Sequence, residues 1–234
     1  MKTYKELQEG LNDPNIFKAF FLAGGPGSGK SFVVRQTTGG TGLQIVNSDD
    51  AFERYLKQAG LEMDMRTTQA EREKEERDTE RKRAKRVTKA RKGGYVEGRL
   101  GLIIDGTGKD YDKIAKQSIQ LKQLGYDTYM IFVNTSLDVA LERNAKRERS
   151  VSTSVATNSW RSVQSNIGKF SQHFRQNFIV VDNNDANIKD PQVFNDVFKQ
   201  IKGLLRKKVT SPIAKQWVMQ QMKDRGITKA PKGF

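Results

Sequence analysis

The 234-residue sequence contains no cysteine and a single histidine, His173. Those absences exclude disulfides, thiolate zinc sites and thiol nucleophiles, and they leave transition metals without their usual ligands. His173 falls on a helical stretch and reads as structural rather than catalytic. No run of about eighteen apolar residues is present and no basic-then-apolar leader opens the chain, so neither a membrane span nor export is expected. A reducing, cytoplasmic setting fits the missing cysteine. Apolar residues make up only 35% of the chain and mean hydropathy is −0.71, so the core is modest and much of the length is solvated helix. Acid is scarce too: 27 Asp and Glu stand against 42 Lys and Arg, a net charge of +15. Such an excess points to polyanionic partners, and a site that holds phosphates accounts for part of it.

Against these absences stands one dense motif. Gly24-Gly25-Pro26-Gly27-Ser28-Gly29-Lys30-Ser31 spells G-x-x-x-x-G-K-S directly after the apolar run Ala19-Phe20-Phe21-Leu22-Ala23. A buried strand, a glycine-rich turn and a helix start, in that order, make a phosphate-binding loop. The glycines let successive backbone N–H groups point inward at an anion, and the dipole of the helix beginning near Lys30 adds positive potential there. Lys30 then reaches the β- and γ-phosphates, and the Ser31 hydroxyl is placed to ligate Mg²⁺. ATP with Mg²⁺ is the implied ligand.

Five short apolar runs, at 19–23, 43–46, 100–105, 128–133 and 178–182, alternate with helical patterns. That alternation predicts an α/β fold of the P-loop type: a doubly wound, five-stranded parallel sheet with helices on both faces and ligands at the carboxyl ends of its strands. Residues 1–18 read as an N-terminal edge helix through Leu7, Leu11, Ile16 and Phe17, ahead of a P-loop domain at 19–202. Within that domain, 62–95 is a charged helical insertion whose exposed helix ends at Gly93-Gly94, and 143–158 is a lid region. A helix from Ser136 to about Arg149 follows the fourth strand, 150–157 reads as loop, 159–174 as one helix, and 191–205 as the last helix of the domain. Residues 203–234 form a basic C-terminal arm. From Lys202 to Lys232 the chain carries nine Lys or Arg against Asp224 alone, with Pro212 at a helix start and Trp217 and Met222 on a docking side. The arm is expected to extend a positive surface outward from the active site.

The chemistry-bearing residues fall where a parallel sheet presents them. Asp49 and Asp50 follow the second strand, Asp105 and Thr107 the third, and Arg143, Arg147 and Arg149 the fourth. Phosphoryl transfer needs a positioned nucleophile, a group that takes its proton, and charge neutralisation on the moving phosphoryl group. A carboxylate near the P-loop, Asp49 or Asp50, suits the first two tasks. Arg143 and Arg147, four residues apart, project from one helix face and can close over the β- and γ-phosphates, with Arg149 a further nucleotide contact. Asp105 is a candidate for Mg²⁺ or for the acceptor, and Thr107 and Arg54 are candidates for the acceptor. Each has a plainer alternative. Asp49 or Asp50 can be an N-cap, Asp105 a turn residue before Gly106, and the arginines a solvated face paired with Glu142 and Glu148. Trp160 and Trp217 read as packing anchors rather than base-stacking platforms.

The segments G-G-P-G-S-G-K-S, I-V-N-S-D-D-A-F, L-I-I-D-G-T-G and G-Y-D-T-Y-M-I-F-V-N-T-S-L-D-V-A-L-E-R-N-A-K-R together resemble the zeta-toxin and polynucleotide-kinase branch of P-loop kinases, from about Phe20 to Asp182. Many members of that branch are bacterial or phage-encoded. The resemblance implies that an Asp just after the second strand is the base for the acceptor hydroxyl. The polynucleotide-kinase pattern Asn-x-Asp-Asp selects Asp49 and the zeta-toxin pattern Asp-x-Phe selects Asp50; Asp49 is slightly preferred. The resemblance also sets Asp105-Gly106-Thr107 near the acceptor and makes Arg143, Arg147 and Arg149 lid arginines. The resulting expectation is an ATP–Mg²⁺-dependent kinase acting on a hydroxyl, with an ATPase or a nucleic-acid-binding module as the alternative. Gly106 after Asp105, where a hydrolase would carry Glu, favours transfer. The acceptor is expected on a nucleic acid, because each neutralised phosphate releases counterions; a nucleotide or a nucleotide-sugar such as UDP-N-acetylglucosamine is the alternative.

Overall fold

A computed structural model of the protein describes residues 10–184, 192–231 and 233–234. Its centre is a five-stranded, all-parallel sheet: β1 (Lys18–Ala23), β2 (Gln44–Val46), β3 (Leu102–Asp105), β4 (Asp127–Asn134) and β5 (Phe178–Asp182), in the order β2-β3-β1-β4-β5. Every residue of β1 is buried, as a central strand covered on both faces must be. Alternation along β1 sends Phe21 into one apolar layer with Met130, Phe132 and Phe170, and Phe20 and Leu22 into the other with Val33, Tyr129 and Ile131. Register sets Leu22 opposite Asp105 on one side and Ile131 on the other. Asp105 therefore stands beside the start of the P-loop.

The helices are α1 (Lys30–Thr38), α2 (Ser48–Ala59), α3 (Thr68–Arg72), α4 (Lys74–Glu97), α5 (Tyr111–Gln123), α6 (Leu137–Ala145), α7 (Thr153–Ser165), α8 (Ile167–Phe174), α9 (Gln192–Arg206) and α10 (Pro212–Arg225). Asn47, Ser136, Ser152 and Ser211 cap α2, α6, α7 and α10 by accepting a backbone N–H of the first turn.

Several expected boundaries move, each for a visible reason. Helix α6 stops at Ala145 rather than near Arg149. The Asn144 amide donates to the Val151 carbonyl at 2.7 Å and its oxygen accepts from the Val151 N–H at 3.3 Å, which turns the chain. Arg143 and Arg147 consequently share no helix face. Residues 153–157, expected as loop, open α7 behind the Ser152 cap. The single helix expected at 159–174 is broken at Asn166, whose amide donates to the carbonyls of Gly108 (3.1 Å) and Lys109 (2.9 Å). Helix α4 runs through Gly93-Gly94 to Glu97, because Tyr95 and Val96 pack on the core just beyond them. It is also less exposed than its charge suggests: Ala84 joins Ala51, Phe52, Tyr55 and Leu56 of α2 in a small apolar cluster, and Arg77 is buried with its guanidinium on the Glu62 carbonyl. Of the edge helix expected at 1–18, the described part is a 3₁₀ turn at Gly10–Asn12; Leu7, Pro191 and Lys232 lie outside the described residues.

The C-terminal arm is an integral part of the core. Ala214 and Val218 are buried, the Trp217 ring meets Phe17 edge-on at 5.5 Å, and the Val209 N–H donates to the Gly233 carbonyl at 2.9 Å. Phe17 precedes β1, and Gly125, against which Ala214 packs, precedes β4. Helix α10 thus closes the amino ends of the strands, whereas the P-loop leaves their carboxyl ends. A six-residue strand separates the two by about 20 Å. The expected continuity between the arm's charge and the active site is therefore not found, because the arm's apolar side matches the uncovered end at Phe17.

Candidate active site

The P-loop is held from three directions. Gly24 N–H donates to the Thr107 carbonyl at 2.9 Å, tying the loop to the segment after β3. The Ser28 carbonyl accepts from Thr135 Oγ1 (3.3 Å) after β4 and from Asn183 Nδ2 (2.7 Å) after β5. Gly27 and Gly29 have φ of +77° and +81°, and a Cβ on either would overlap the Ala140 carbonyl or the Asn183 amide. Only glycine fits there. The Trp160 backbone of α7 passes over Gly25 while its indole N–H donates to the Thr135 carbonyl at 2.7 Å, so Trp160 anchors α7 as a roof on the loop. Among the described residues the buried Ser28 Oγ has no partner, which leaves one hydroxyl of the cradle unsatisfied by the protein.

Asn47 organises the other half of the site. Its Oδ1 accepts the Asp49 N–H at 2.7 Å, capping α2, so neither Asp49 nor Asp50 is the cap. Its Nδ2 donates to Asp105 Oδ2 and to Asp50 Oδ1, both at 3.1 Å. Asp105 Oδ1 stands 4.0 Å from Lys30 Nζ, with both side chains largely buried. One amide therefore links the P-loop lysine, through Asp105, to the first turn of α2. Burial raises the Asp105 carboxyl above its usual range, with Asp49 and Asp50 adding to the effect and Lys30 and Arg147 opposing it. Asp50 is also raised, first by burial and then by the neighbouring carboxylates of Glu53 and Asp49, against the pull of Arg35 and Arg149. Asp50 lines an open recess of about 530 Å³ along α2 with Glu53, Arg54, Lys57 and Gln58. Arg54 is exposed there, its guanidinium 5.3 Å from the Tyr55 ring centre.

Asp49 is engaged differently. Arg149 and Arg81 approach its carboxylate at 3.4 and 3.9 Å, and Arg149 also donates to Glu53 at 2.7 Å. The three arginines after β4 do not converge. Arg149 lies on the acids of α2, Arg147 is exposed, and Arg143 donates to the carbonyls of Asn183 (2.7 Å) and Asn184 (3.3 Å), where it braces the loop beside Gly29. Thr107 contributes its carbonyl to Gly24, and its Oγ1 accepts weakly from the Lys109 N–H at 3.5 Å. His173 packs between Tyr111 and Phe174 with its Nε2 3.1 Å from Ser118 Oγ, a structural position.

Asn47, Arg81, Thr135 and Asn183 escaped the sequence reading. Asn47 had a usable signal, an Asn at the end of an apolar run and ahead of a helical pattern. The others depend on distant pairing. Among the described residues no group of three His, Cys, Asp or Glu could hold a metal ion. Mg²⁺ does not need one, because it keeps waters and phosphate oxygens in its octahedron and takes one or two protein oxygens. Ser31 in the first turn of α1 and Asp105, whose Oδ1 accepts no hydrogen bond among the described residues, fit such a set.

A strand, a glycine loop around an anion cradle, and acids at the carboxyl edge of a parallel sheet define a P-loop nucleotide-binding protein with the kinase-type α/β fold. Residues 20–169 match the AAA domain family, and the chain belongs to it. Among curated proteins no match is found. The fold is similar to that of a candidate kinase from Chloroflexus aurantiacus J-10-fl, at 14% identity over 84% of this chain and 98% of that one, TM-score 0.53. It is also similar to a gluconokinase from Sinorhizobium meliloti 1021, at 14% identity over 81% and 96% of the two chains, TM-score 0.50. The AvrRxo1-ORF1:AvrRxo1-ORF2 structure with sulphate ions matches at 15% identity over 76% of this chain and 62% of that one, TM-score 0.51. At these identities the likeness is one of fold.

Proposed function

We propose that this protein is an ATP-dependent phosphotransferase of the zeta-toxin and polynucleotide-kinase type, acting on a hydroxyl of a nucleotide-bearing acceptor seated against α2. The observation that carries this reading is the Asn47 amide, which joins Asp105 beside Lys30 to Asp50 in the recess. Asp50 takes the acceptor O–H proton as the oxygen bonds to the γ-phosphorus, the γ-phosphorus–oxygen bond to the β-phosphate breaks, and ADP leaves. Asp50 is the base here in place of Asp49, because two arginines already neutralise Asp49 while Asp50 has no ion-pair partner among the described residues and faces the recess. Lys30 holds the β- and γ-phosphates, and Arg147 is the arginine free to reach charge that develops in transfer. Ser31 and Asp105 would hold Mg²⁺, which would supply charge neutralisation on the phosphate oxygens. A related fold, AvrRxo1-ORF1:-ORF2, has been solved with ATP, which supports the choice of nucleotide.

A recess of about 530 Å³ holds one nucleotide-sized unit. That chemistry is shared by a nucleic-acid unit, a free nucleotide and a nucleotide-sugar. The test is γ-labelled ATP incubated with DNA, RNA, nucleotides and nucleotide-sugars, followed by tracing of the label. Transfer to one acceptor is expected, lost in Asp50→Asn with ATP affinity retained. An inactive Asp49→Asn beside a fully active Asp50→Asn restores Asp49 as the base, and label released only as phosphate makes the protein an ATPase.

A further inference from the structure

Residues 81–92 of α4 carry eight Lys or Arg and no Asp or Glu. One side of this stretch faces the domain: Arg81 lies over the Phe52 ring at 4.2 Å, Ala84 is buried, and Thr88 donates to the Asn47 carbonyl at 3.4 Å. Lys82, Lys85, Arg86 and Lys89 fall at i, i+3, i+4 and i+7 on the opposite side, and all four are exposed. None of the four has an ion pair or side-chain hydrogen bond among the described residues. At 1.5 Å per residue the stripe is about 10 Å long.

We propose that this outward face of α4 is a docking surface for the phosphate backbone of a nucleic acid. A helix that is merely solvated alternates its charges at i,i+4, as Glu142 and Lys146 do at the end of α6. Here Lys82–Arg86 and Lys85–Lys89 set like charges four apart, which opposes the helix and has no structural return. The positive field continues toward α5: Lys92 of α4 donates to Gln117 of α5 at 3.1 Å, and burial, with the nearby Lys113 of α5, lowers its pKa. Other polyanionic surfaces fit less well. A membrane-surface helix needs an apolar face to enter the interface, and the apolar face of α4 is already spent on α2. A protein partner needs aliphatic or aromatic anchors, and the exposed large apolar residues of the described chain all lie off α4. Phosphate contacts need only spaced Lys and Arg. The stripe lies on the reverse of the helix that contacts Asn47 and Asp49, beside the acceptor side of the site and away from the C-terminal arm.

This inference stands apart from phosphotransfer, because binding is read without ATP. Fluorescently labelled single-stranded and duplex oligonucleotides are titrated with the full chain at several salt concentrations. Wild type should bind at low salt with a steep slope. The fourfold variant Lys82→Gln, Lys85→Gln, Arg86→Gln, Lys89→Gln should lose at least about tenfold in affinity and flatten the slope by roughly 3, at about 0.7–0.9 per phosphate contact. Unchanged ATP binding shows that the variant is folded. A matching variant of Lys207, Lys208, Lys215 and Lys223 should bind as wild type does. No oligonucleotide binding by wild type at low salt, an unchanged slope in the fourfold variant, loss confined to the arm variant, or tighter binding to anionic phosphatidylserine vesicles than to oligonucleotides would each overturn the proposal.

Discussion

Asp50 and Asp105 hold their protons more tightly in the folded protein than the 3.8 of an ordinary Asp: Asp105 because it is withdrawn from water, and Asp50, exposed at its outer edge, through partial desolvation and the neighbouring carboxylates of Glu53 and Asp49. Between 3.8 and the raised value the native state binds a proton that the unfolded chain has released. Stability therefore falls as pH rises through that interval, and at neutral pH both carboxylates work against the fold. Replacing Asp50 with Asn keeps an acceptor for the Asn47 amide and removes a charge from beside Glu53 and Asp49. Asp50→Asn should raise Tm at pH 7, and the gain should vanish as the pH falls toward 3.8. Paired thermal melts at the two pH values check this, and a lower Tm for the variant at pH 7 contradicts it. A more stable but inactive variant is the trade expected where a site holds charge at the expense of stability.

At the scale of elements, the site depends on how α2 begins. Asn47 does two separable things: its oxygen caps the helix, and its amide bridges two carboxylates. Ser is an equally good cap with no amide donor, whereas Ala supplies neither function. Asn47→Ala should destabilise the fold by about 1 kcal/mol. Asn47→Ser should keep near-normal stability. Both should move the acidic limb of turnover to higher pH, because the lost hydrogen bonds favoured the charged carboxylates. Denaturant melts beside a pH–rate profile separate the two effects. An unmoved acidic limb in Asn47→Ser would show that the bridge has no part in the chemistry.

The whole molecule has two poles set by the direction of its strands. The carboxyl pole carries the P-loop, Asp105 and α2, and a strap after α6 closes onto α2 and the loop that follows it. Lys57 meets Glu148 at 3.1 Å, Ser150 Oγ donates to Asp64 at 2.7 Å, and Met65 N–H donates to the Ser150 carbonyl at 3.1 Å. The amino pole is sealed by α10, with Lys18 buried against Asp127 at 2.7 Å nearby. Removing 207–234 uncovers Phe17 and strips Ala214, Val218 and Trp217 from the main apolar layer. Truncation of a single buried Trp typically costs on the order of 3 kcal/mol, against a typical whole-domain stability of roughly 5–15. Deletion of 207–234 should therefore abolish cooperative unfolding and take ATP binding with it. Calorimetry and nucleotide titration of the truncated chain test this, and a folded, ATP-binding truncation would return the arm to an appendage.

The sequence by itself determined what local backbone chemistry requires. A glycine loop between a buried strand and a helix has one use at that spacing, and five apolar runs among helical patterns leave little besides a parallel sheet. Asp105 at the end of an apolar run and Asp49-Asp50 after another were legible for the same reason, since strand ends in such sheets face the ligand. Strand order, the bridge through Asn47, the roof of Trp160, the parting of Arg143 from Arg149 and the pole to which the arm docks were decided only by tertiary structure. Each rests on groups far apart in the chain, as when Asn183 holds the Ser28 carbonyl across 155 residues. Such a bond leaves no periodicity in the sequence, because what selects it is the position of the neighbouring strand rather than the spacing of its own residues.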